Sequence, residues 1–427
     1  NSPRRHCSLP LNQPPVFLFT ESVGTFSATG LGKEATFGLA VPRINWAPMV
    51  DNTMEVDPGL FFPPVIVGQA DESIFGLYGQ EKDLGAINMP LFPTNGIPLL
   101  AYALGGTDTV TGSSPGPYTH SIVERGAGQP PSLTIEKIIG GKQSLIMAGC
   151  KVAKYSLKGQ ATDTEASAAV DIVAQSFQVG TAAGVASTIA SGSNTQVLPQ
   201  ATINLTSDVT ATAPDSGIAY VVTSAGTEIV TYTGITASTI TGCTGGTGTM
   251  STGGAVTFSA TMGTPSYVNE EPFVFAEFIL TWAGGQLSQA GNFALDIETG
   301  VKPTYTFNGS HEAQFITATK ILAKGSFDVV WDDLVDSDDL GYDFFTQIQQ
   351  MANGGMPAAL TFALTHPSTG YGITLSMPNV FLSKSQHPVK LGDVVMETLD
   401  FTAARPPGAS STISATIVNG VSTSYSP

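Results

Sequence analysis

Cys150 is the residue whose type and position most invite a chemical interpretation. It lies in PSLTIEKIIGGKQSLIMAGCKVAKYSLKG (131–159), where two stretches typical of β-strands flank Gly140-Gly141. A cysteine nucleophile needs a base beside it, and the nearest histidine along the chain is His120. Because buried structural cysteines are far commoner than catalytic ones, the sequence favours a packing role for Cys150.

The other cysteines, Cys7 and Cys243, offer no partner motif. Three widely spaced cysteines are typical neither of a disulfide framework nor of a zinc site. Cys243, in TGCTGG, receives the same structural interpretation as Cys150.

The histidines and the clustered acidic residues could in principle bind a metal. The five histidines are His6, His120, His311, His366 and His387. None of them falls in an HExxH pattern. The acidic run contains Asp332, Asp333, Asp336, Asp338, Asp339 and Asp343. It lacks the glycine and glutamate positions of an EF-hand loop, so helix capping and a solvated acidic face explain it better than calcium. A metal site assembled from distant parts of the chain stays open.

Two glycine-lysine stretches fail as phosphate-binding loops. GLGK (30–33) and GGK (140–142) lack the leading glycine and the Ser or Thr that follows the lysine of such a loop. The chain also contains no GxSxG nucleophile motif. We therefore predict no catalytic, cofactor-binding or metal-binding residues, no cofactor and no enzymatic activity.

The charge balance argues against tight binding of nucleic acid. It favours burial of the protein surface against neighbouring subunits. There are 34 acidic and 17 basic residues, a formal net charge of -17, and only 12% of residues are charged. Binding of phosphates needs Lys and Arg clusters, and the chain offers only the isolated Arg4-Arg5 pair. Sparse charge suits interface cores. No apolar run approaches the ~18 residues of a membrane span.

The first part of the chain reads as an arm followed by β structure. Residues 1–35 are rich in proline and predict an extended N-terminal arm, followed by a first core half over 36–199. TNGIPLLAYALGG (94–106) predicts a short helix, capped by Thr94 or Asn95 and ended by glycine. Period-2 alternation around Gly140-Gly141 predicts a hairpin or meander.

The second part contains an insertion, a second core half and a tail. Residues 200–260, rich in Ala, Ser, Thr and Gly, predict a small inserted β module, although a low-complexity linker is an alternative. Residues 261–405 predict further strands and an amphipathic helix over 336–355, whose apolar stripe includes Phe344 and Ile348. The polar segment 406–427 predicts a C-terminal tail. The fold class is therefore mainly β (α+β), a barrel or sandwich with one or two flanking helices and extended terminal arms.

The hairpin at 131–159 resembles the central signature of the tail tube proteins of long-tailed bacteriophages. In that family a Pro-Ser-Leu-Thr-like strand is followed by a partner strand leading into Gly-Cys. GIPLLAYALGG (96–106) is similar to the family's short helix, and NFALDIETGVKPTYTFNGS (292–310) looks like its second half. The resemblance covers most of 35–180 and 265–405, and the insertion is extra to it.

The resemblance implies a structural virion protein of the phage tail, assembled in the host cytoplasm. Its subunits would form stacked hexameric rings around a lumen through which DNA passes without specific binding. Implied partners are identical subunits, the tape-measure protein, the tail terminator and baseplate or tip proteins, with no membrane. Alternatives are a decoration or capsid protein of the virion, or a β-rich surface protein that binds carbohydrate or the host surface.

Overall fold

The strands of the protein, seen in a computed structural model, form several sheets rather than a closed barrel. The structure describes residues 24–62, 76–141, 143–160, 165–181, 186–210, 213, 217–258, 262–287, 290–307, 309–330, 344, 348, 357–386, 395–409 and 411–426. Over these ranges the fold is mainly β, as predicted. The barrel option is not found in this part of the chain.

The first half of the chain builds its strands around the predicted hairpin. Its strands are β1 (Ala28–Lys33), β2 (Asn45–Ala47), β3 (Asp51–Asn52), β4 (Glu55–Asp57), β5 (Leu60–Phe61), β6 (Leu77–Tyr78), β7 (Lys82–Pro90), β8 (Gly105–Thr111), β9 (Tyr118–Glu124), β10 (Leu133–Ile139), β11 (Gln143–Gln160), β12 (Ser167–Ala174) and β13 (Ser176–Thr181). Strands β10 and β11 pair antiparallel, and both turn glycines, Gly140 and Gly141, have positive φ. The hairpin prediction is confirmed.

Strand β11 bends in its middle, so its two parts pair with different sets of strands. Its first part pairs with β10 and β13, and its second part pairs with β12 and with β23 (Ala290–Glu298) of the second half. The bend falls at Gly149, whose φ is 65°. A Cβ there would lie 2.7 Å from Cβ of Gln175, so only glycine fits. The register against β10 shifts at the same place, which marks a β-bulge.

The predicted short helix is present as α1 (Ile97–Leu104), and all of its residues are buried. Helix α1 packs against β8, β9, β11 and β23, so it lies inside the core and not on a flank. Its first cap is Gly96 and not the expected Thr94 or Asn95. Those two residues instead donate their backbone N–H groups to the Glu270 carboxylate.

The second half repeats a regular alternation of buried and exposed positions. Its remaining strands are β21 (Phe278–Trp282), β22 (Gly285–Gln286), β24 (Val301–Thr304), β25 (Phe315–Ala318), β26 (Leu322–Val330), β27 (Ala358–Thr365), β28 (Gly372–Gln386), β29 (Met396–Ala403) and β30 (Ser414–Asn419). Their inward positions carry aromatic rings in contact. Phe293 stacks on Phe362 with ring centroids 4.3 Å apart, and Phe401 stacks on Phe293 at 6.2 Å.

The helix predicted at 336–355 lies almost wholly outside the described residues. Phe344 and Ile348, the two residues described there, are both helical. Phe344 is buried, with its ring 5.7 Å from the rings of Trp282 and Phe327. The apolar stripe therefore meets the core where these two residues can be placed.

The predicted C-terminal tail is wrong over 411–426. Strand β30 pairs with both β9 and β28 inside the main sheet. Beyond it, Tyr425 is buried with its ring 4.5 Å from the ring of His120. Lys33 donates hydrogen bonds to the carbonyls of Ser424 and Ser426, which ties the C-terminal segment to β1.

The N-terminal arm is also shorter than predicted. Residues 1–23 lie outside the described residues, and 24–26 form a 3-10 turn. Strand β1 pairs with β2 and β10, and its first five residues are buried. Its six residues therefore belong to the core.

The inserted module has its own sheets and its own hydrophobic cluster. Its strands are β14 (Ala186–Thr188), β15 (Thr202–Asn204), β16 (Gly217–Thr223), β17 (Gly226–Tyr232), β18 (Gly234–Thr236), β19 (Thr239–Thr241) and β20 (Ala255–Thr257). The sheets are ordered β14-β20-β16-β17 and β15-β19-β18. Because β14 pairs with β20, the module begins near residue 186 and not at 200. Tyr220 packs it against Ala40, Ile146 and Ala148 of the main body.

The polar face of β10 is buried. Thr134 and Glu136 are fully buried, and Ser132 just before the strand is 5% exposed. The Glu34 carboxylate accepts hydrogen bonds from the hydroxyls of Ser132 (2.6 Å) and Thr134 (2.8 Å). It also accepts the backbone N–H of Gly149 at 2.9 Å. A buried carboxylate with several donors needs no cation.

Glu136 links β10 to the segment that follows the inserted module. Its carboxylate accepts Arg43 Nε at 2.6 Å, the Ser144 hydroxyl at 2.6 Å and the Gly263 N–H at 3.1 Å. Both Glu136 and the Arg43 side chain are buried. The ion pair is therefore shielded from solvent and fully hydrogen-bonded, the condition under which removal of one partner is costly.

We predict that Glu34→Ala destabilises the protein by about 3 kcal/mol or more, because several buried donors lose their acceptor at once. Glu55→Ala, which removes an exposed carboxylate of β4, is the matched control and is expected to change stability by less than about 0.5 kcal/mol. The measurement is urea unfolding followed by tryptophan fluorescence. Equal stabilities of the two variants would contradict the role given to Glu34.

Candidate functional site

The structure places Cys150 in the interior of the protein. It is 1% exposed, and its thiol lies 3.4 Å from the Met147 carbonyl, to which it donates. Burial, followed by the Glu34 carboxylate, raises the pKa of the Cys150 thiol well above its ordinary value. Burial likewise raises the pKa of Cys243 to about 11. Both thiols are therefore poor nucleophiles, in line with the packing role predicted for them.

The histidines that the structure describes do not come together. His120 and His366 are buried in separate parts of the molecule, and His311 is exposed. Within the described ranges no group of three or more metal-ligating side chains could hold an ion. His6, His387 and the acidic run at 332–343 lie outside those ranges.

His120 and His366 have the same kind of surroundings. His120 bonds Asp108 at 2.9 Å through Nδ1 and the Val421 carbonyl at 2.9 Å through Nε2. His366 bonds Glu277 at 2.6 Å and the Glu271 carbonyl at 2.9 Å. Both ring nitrogens of each histidine lie within hydrogen-bonding distance of an acceptor. Each ring therefore links two segments of the chain.

The electrostatics of His366 favour its charged form. Burial alone would lower its pKa, but the Glu271 carbonyl and the Glu277 carboxylate outweigh burial and raise the pKa above 6.5. The ring also stacks on Phe273 with centroids 4.7 Å apart. The contacts of the two ring nitrogens with Glu277 and Glu271 fix the segment before β21 to the loop after β27.

The glycine-lysine stretches have structural roles. Residues 30–33 lie within buried strand β1, and Lys33 turns to the C-terminal carbonyls already described. Gly140 and Gly141 form the hairpin turn, and Lys142 lies outside the described residues. Among the parts that can be described, neither stretch forms a loop that wraps an anion.

Two short hairpins carry the most unusual surface of the molecule. Strands β5 and β6 pair only with each other, as do β24 and β25. Their large apolar side chains, all at least 47% exposed, are Leu60, Phe61, Phe62, Leu77, Tyr78, Phe307 and Phe315. We call these seven residues the hairpin surface. Exposed large apolar side chains that are grouped on a protein surface are typical of interaction sites.

Sequence reasoning missed this surface. The stretch around Leu60 predicted edge strands and turns because Pro58, Pro63 and Pro64 interrupt it. The available signal was the run Leu60-Phe61-Phe62 itself, three large apolar residues in a row with no alternation. Such a run is either buried in a core or reserved for an interface.

The two hairpins meet at a junction of hydrogen bonds. The Glu81 N–H donates to the His311 carbonyl at 2.9 Å, and His311 Nδ1 bonds the Gly79 carbonyl at 2.7 Å. The Tyr305 hydroxyl donates to the Glu81 carbonyl at 2.5 Å. These contacts join the link between β6 and β7 to Tyr305 and His311, which lie between β24 and β25 in the chain.

Three carboxyl groups crowd the same junction. Asp83, on β7, is 2% exposed, and Glu81 and Glu312 are the charged groups that act on it. Burial, then Glu81, then Glu312 raise the pKa of Asp83 to about 8. Burial and the Glu81 charge also raise the pKa of Glu312. Burial and the neighbouring carboxyl groups therefore favour the neutral form of Asp83.

None of the helices in the described part of the chain is long and apolar enough to cross a bilayer.

No protein-family model matches the chain, and no curated protein is significantly similar to it. The resemblance to tail tube proteins therefore stays a prediction from sequence, and function is argued from the surfaces above.

We predict that His366→Gln costs about 1–2 kcal/mol at about pH 5.5 and less at about pH 8.5. The pKa of His366 is raised on folding, so its stabilising effect is complete below 6.5 and is lost as pH rises through the folded value. The measurement is the difference in unfolding free energy between wild type and variant at each pH, in which the other titrating groups cancel. A difference that does not change with pH would contradict the ionised state assigned to His366.

Proposed function

We propose that the chain is a structural subunit that self-assembles through its hairpin surface, and that the assembly is the stacked-ring tube of a long-tailed phage tail. The exposed hairpin surface is the observation that carries this proposal. The mainly β fold and the resemblance of the hairpin at 131–159 support the particular kind of assembly.

The hairpin surface is costly for an isolated monomer. The β5–β6 pair has no further strand partner, and an isolated two-stranded hairpin is at best marginally stable in water; the β24–β25 pair buries Ile316 and Ala318 but leaves Phe315 exposed. Burying a single large apolar side chain is worth about 1.5–3 kcal/mol. Contact with a neighbouring subunit would therefore stabilise both hairpins and remove their side chains from water.

A second copy of the chain is the occupant that best fits this surface. In the proposed assembly the hairpin surface contacts a different patch on the next copy, which is a head-to-tail contact. Repeated head-to-tail contacts close into rings or continue as open helical arrays. The low content of charged residues, 12%, fits a molecule that buries much of its surface in such contacts.

The acidic balance fits a conduit for DNA. The net charge of -17 gives phosphates no attractive surface overall, and a wall of that sign lets a duplex pass without holding it. Within this proposal the tape-measure protein, the tail terminator and the baseplate or tip proteins are the further partners. They follow from the resemblance and not from a site described above.

The test is assembly of the purified protein across a concentration series. Negative-stain electron microscopy is expected to show rings or hollow tubes, and light scattering to show the corresponding mass. Phe61→Ser with Tyr78→Ser is expected to raise the concentration needed for assembly at least about tenfold, because two aromatic contacts are lost. Val197→Ser, at a position 55% exposed in the inserted module, is the control. Assembly by the double variant at the wild-type concentration would overturn the role of the hairpin surface.

We also predict that the inserted module is dispensable for assembly. Replacing 186–258 with a short Gly-Ser link is expected to leave rings or tubes intact, because the module has its own hydrophobic core and its first and last strands pair. In the tube it would project outward, since an addition into the lumen would obstruct DNA. A folded variant, verified by the fluorescence of its buried Trp282, that forms no rings would contradict this prediction.

A further inference from the structure

The two halves of the chain share one scheme of strand pairing. In the first half, β4, β7, β12 and the later part of β11 pair in that order. In the second half, β23, β26, β29 and the later part of β28 pair in that order. A two-stranded hairpin follows β4 and another follows β23, so the order along the chain is the same as well.

The remaining strands repeat too. The earlier part of β11 pairs with β10 and β13, and β10 pairs with β1. In the same way, the earlier part of β28 pairs with β27 and β30, and β27 pairs with β21. The strands β1–β13 and β21–β30 therefore form two copies of one structural unit, which we call unit 1 and unit 2. Strands β8 and β9 of unit 1 have no counterpart among the described strands of unit 2.

The two units also repeat the bend of their longest strand and the residues beside it. The register of β11 against β12 shifts just before Lys154, and the register of β28 against β29 shifts just before Lys384. Lys154 lies opposite Asp171, and Lys384 lies opposite Asp400. A β-bulge at the same place, followed by the same pair of residue types, makes Lys384 the counterpart of Lys154.

Inside the chain, the two units meet edge to edge. The later part of β11 in unit 1 pairs with β23, which begins the strand order of unit 2, and there Lys154 lies opposite Glu298 and Ser156 opposite Asp296. Lys154 Nζ is 3.1 Å from Asp296 Oδ2, and the Ser156 hydroxyl donates to Asp296 Oδ1 at 2.6 Å. Backbone pairing and an ion pair therefore join one unit to the next.

The matching edge of unit 2 is open over the described residues. Residues 381–386 of β28 pair with β29 on one side, and no strand in the described part of the chain pairs with them on the other. Phe381 is 41% exposed, and Lys384 and Gln386 are exposed as well. Unpaired backbone groups along a sheet edge are a template for pairing with another chain.

Strand β4 of unit 1 presents the complementary edge. In the described part of the chain it pairs only with β7. Counting along the paired strands from the two bulges makes Glu55 of β4 the counterpart of Asp296, and Asp57 the counterpart of Glu298. Glu55 and Asp57 are both exposed. The edge of β4 thus carries acidic residues at the positions where β23 uses them to meet Lys154.

We propose that the later part of β28 in one chain pairs with β4 of the next chain, in the register by which β11 pairs with β23 inside each chain. Lys384 then lies opposite Asp57 of the next chain and beside its Glu55, as Lys154 lies beside Asp296. The inference rests on the proposed function, self-assembly, and deepens it by naming a contact between copies.

The charges of the two edges favour a head-to-tail contact. Lys384 on the β28 edge meets an acidic edge, whereas β28 against β28 would bring two lysines together and β4 against β4 would bring acids together. A contact between different edges repeats from copy to copy and closes into a ring or continues as an open array. Because the junction inside the chain is of the same kind, each chain adds two units to the series.

Charge reversal tests the contact, with light scattering across a concentration series as the measurement. Lys384→Glu and Glu55→Lys are each expected to raise the concentration needed for assembly at least about tenfold, because like charges then face each other. The double variant Lys384→Glu with Glu55→Lys restores the pair in the opposite sense and is expected to assemble like wild type. Lys158→Glu is the matched control, since that exposed lysine lies where β11 is paired on both sides.

A one-to-one mixture of the two single variants excludes misfolding as the cause of weak assembly. Each altered position then meets an opposite charge on the other variant, so the mixture is expected to assemble near the wild-type concentration although neither variant does so alone. Single variants that assemble at the wild-type concentration would overturn the inference. A double variant and a mixture that stay as weak as the single variants would overturn it too.

Disulfide formation between chains tests the register. Gln386 corresponds to Ser156, which lies opposite Asp296, so the proposed register puts Gln386 opposite Glu55 of the next chain. Gln386→Cys with Glu55→Cys is expected to give a ladder of covalent multimers under mild oxidation, and either substitution alone is not. Lys158→Cys with Glu55→Cys is the matched control. A ladder no stronger than that of the control would overturn the inference.

The outcomes separate this inference from the proposed function. Covalent multimers and charge-rescued assembly without rings or tubes would overturn the proposed function and leave the inference standing. Rings or tubes that are unaffected by charge reversal would overturn the inference and leave the proposed function standing. Wild type that does not assemble, together with a cysteine pair that gives no cross-links, would overturn both.

Discussion

The bond from the Gly149 N–H to the Glu34 carboxylate is the interaction on which the rest of the structure depends. It fixes the bulge at which β11 leaves one set of strands and joins another. Strand β23 of the second half pairs with the part of β11 beyond this bend, and β30 of the second half pairs with β9. Because Glu34 also binds Ser132 and Thr134, the bend, β1 and β10 are set by one buried group. A straight β11 would leave α1 without an interior to fill.

Local signals in the sequence were enough to predict some of this fold. Gly140-Gly141 with alternation on both sides defined the hairpin, and the glycine after α1 defined the end of the helix. The buried polar face of β10 could not be predicted, because Glu34 lies 98 residues from Ser132 and Gly263 lies 127 from Glu136. Strand β30 was missed for a related reason. The strand has few apolar residues, and that these are buried is evident only from its pairing with β9 and β28.

The candidate site was harder to predict than the fold. That Cys150 packs in the core followed from its surroundings in sequence, since a nucleophile without a base is inert. The hairpin surface did not follow, because strands of two residues carry no periodicity to read. The proximity of Glu81 and Asp83 could not be predicted from the sequence either. Glu81 and Asp83 alternate like any exposed strand pair in the sequence, and only the loop 305–312 turns them into a buried junction.

Two strands, β11 and β28, each run through two sets of neighbours. As β11 joins β10 and β13 to β12 and β23, so β28 joins β27 and β30 to β29. The backbone of each of these two strands therefore connects two sets of strands directly. In most sheet proteins such sets are in contact only through side chains. A pull on one set of strands is transmitted to the other along peptide bonds and along rows of hydrogen bonds loaded in shear. The body of the protein should accordingly behave as a stiff element, with deformation confined to the hairpins and the inserted module.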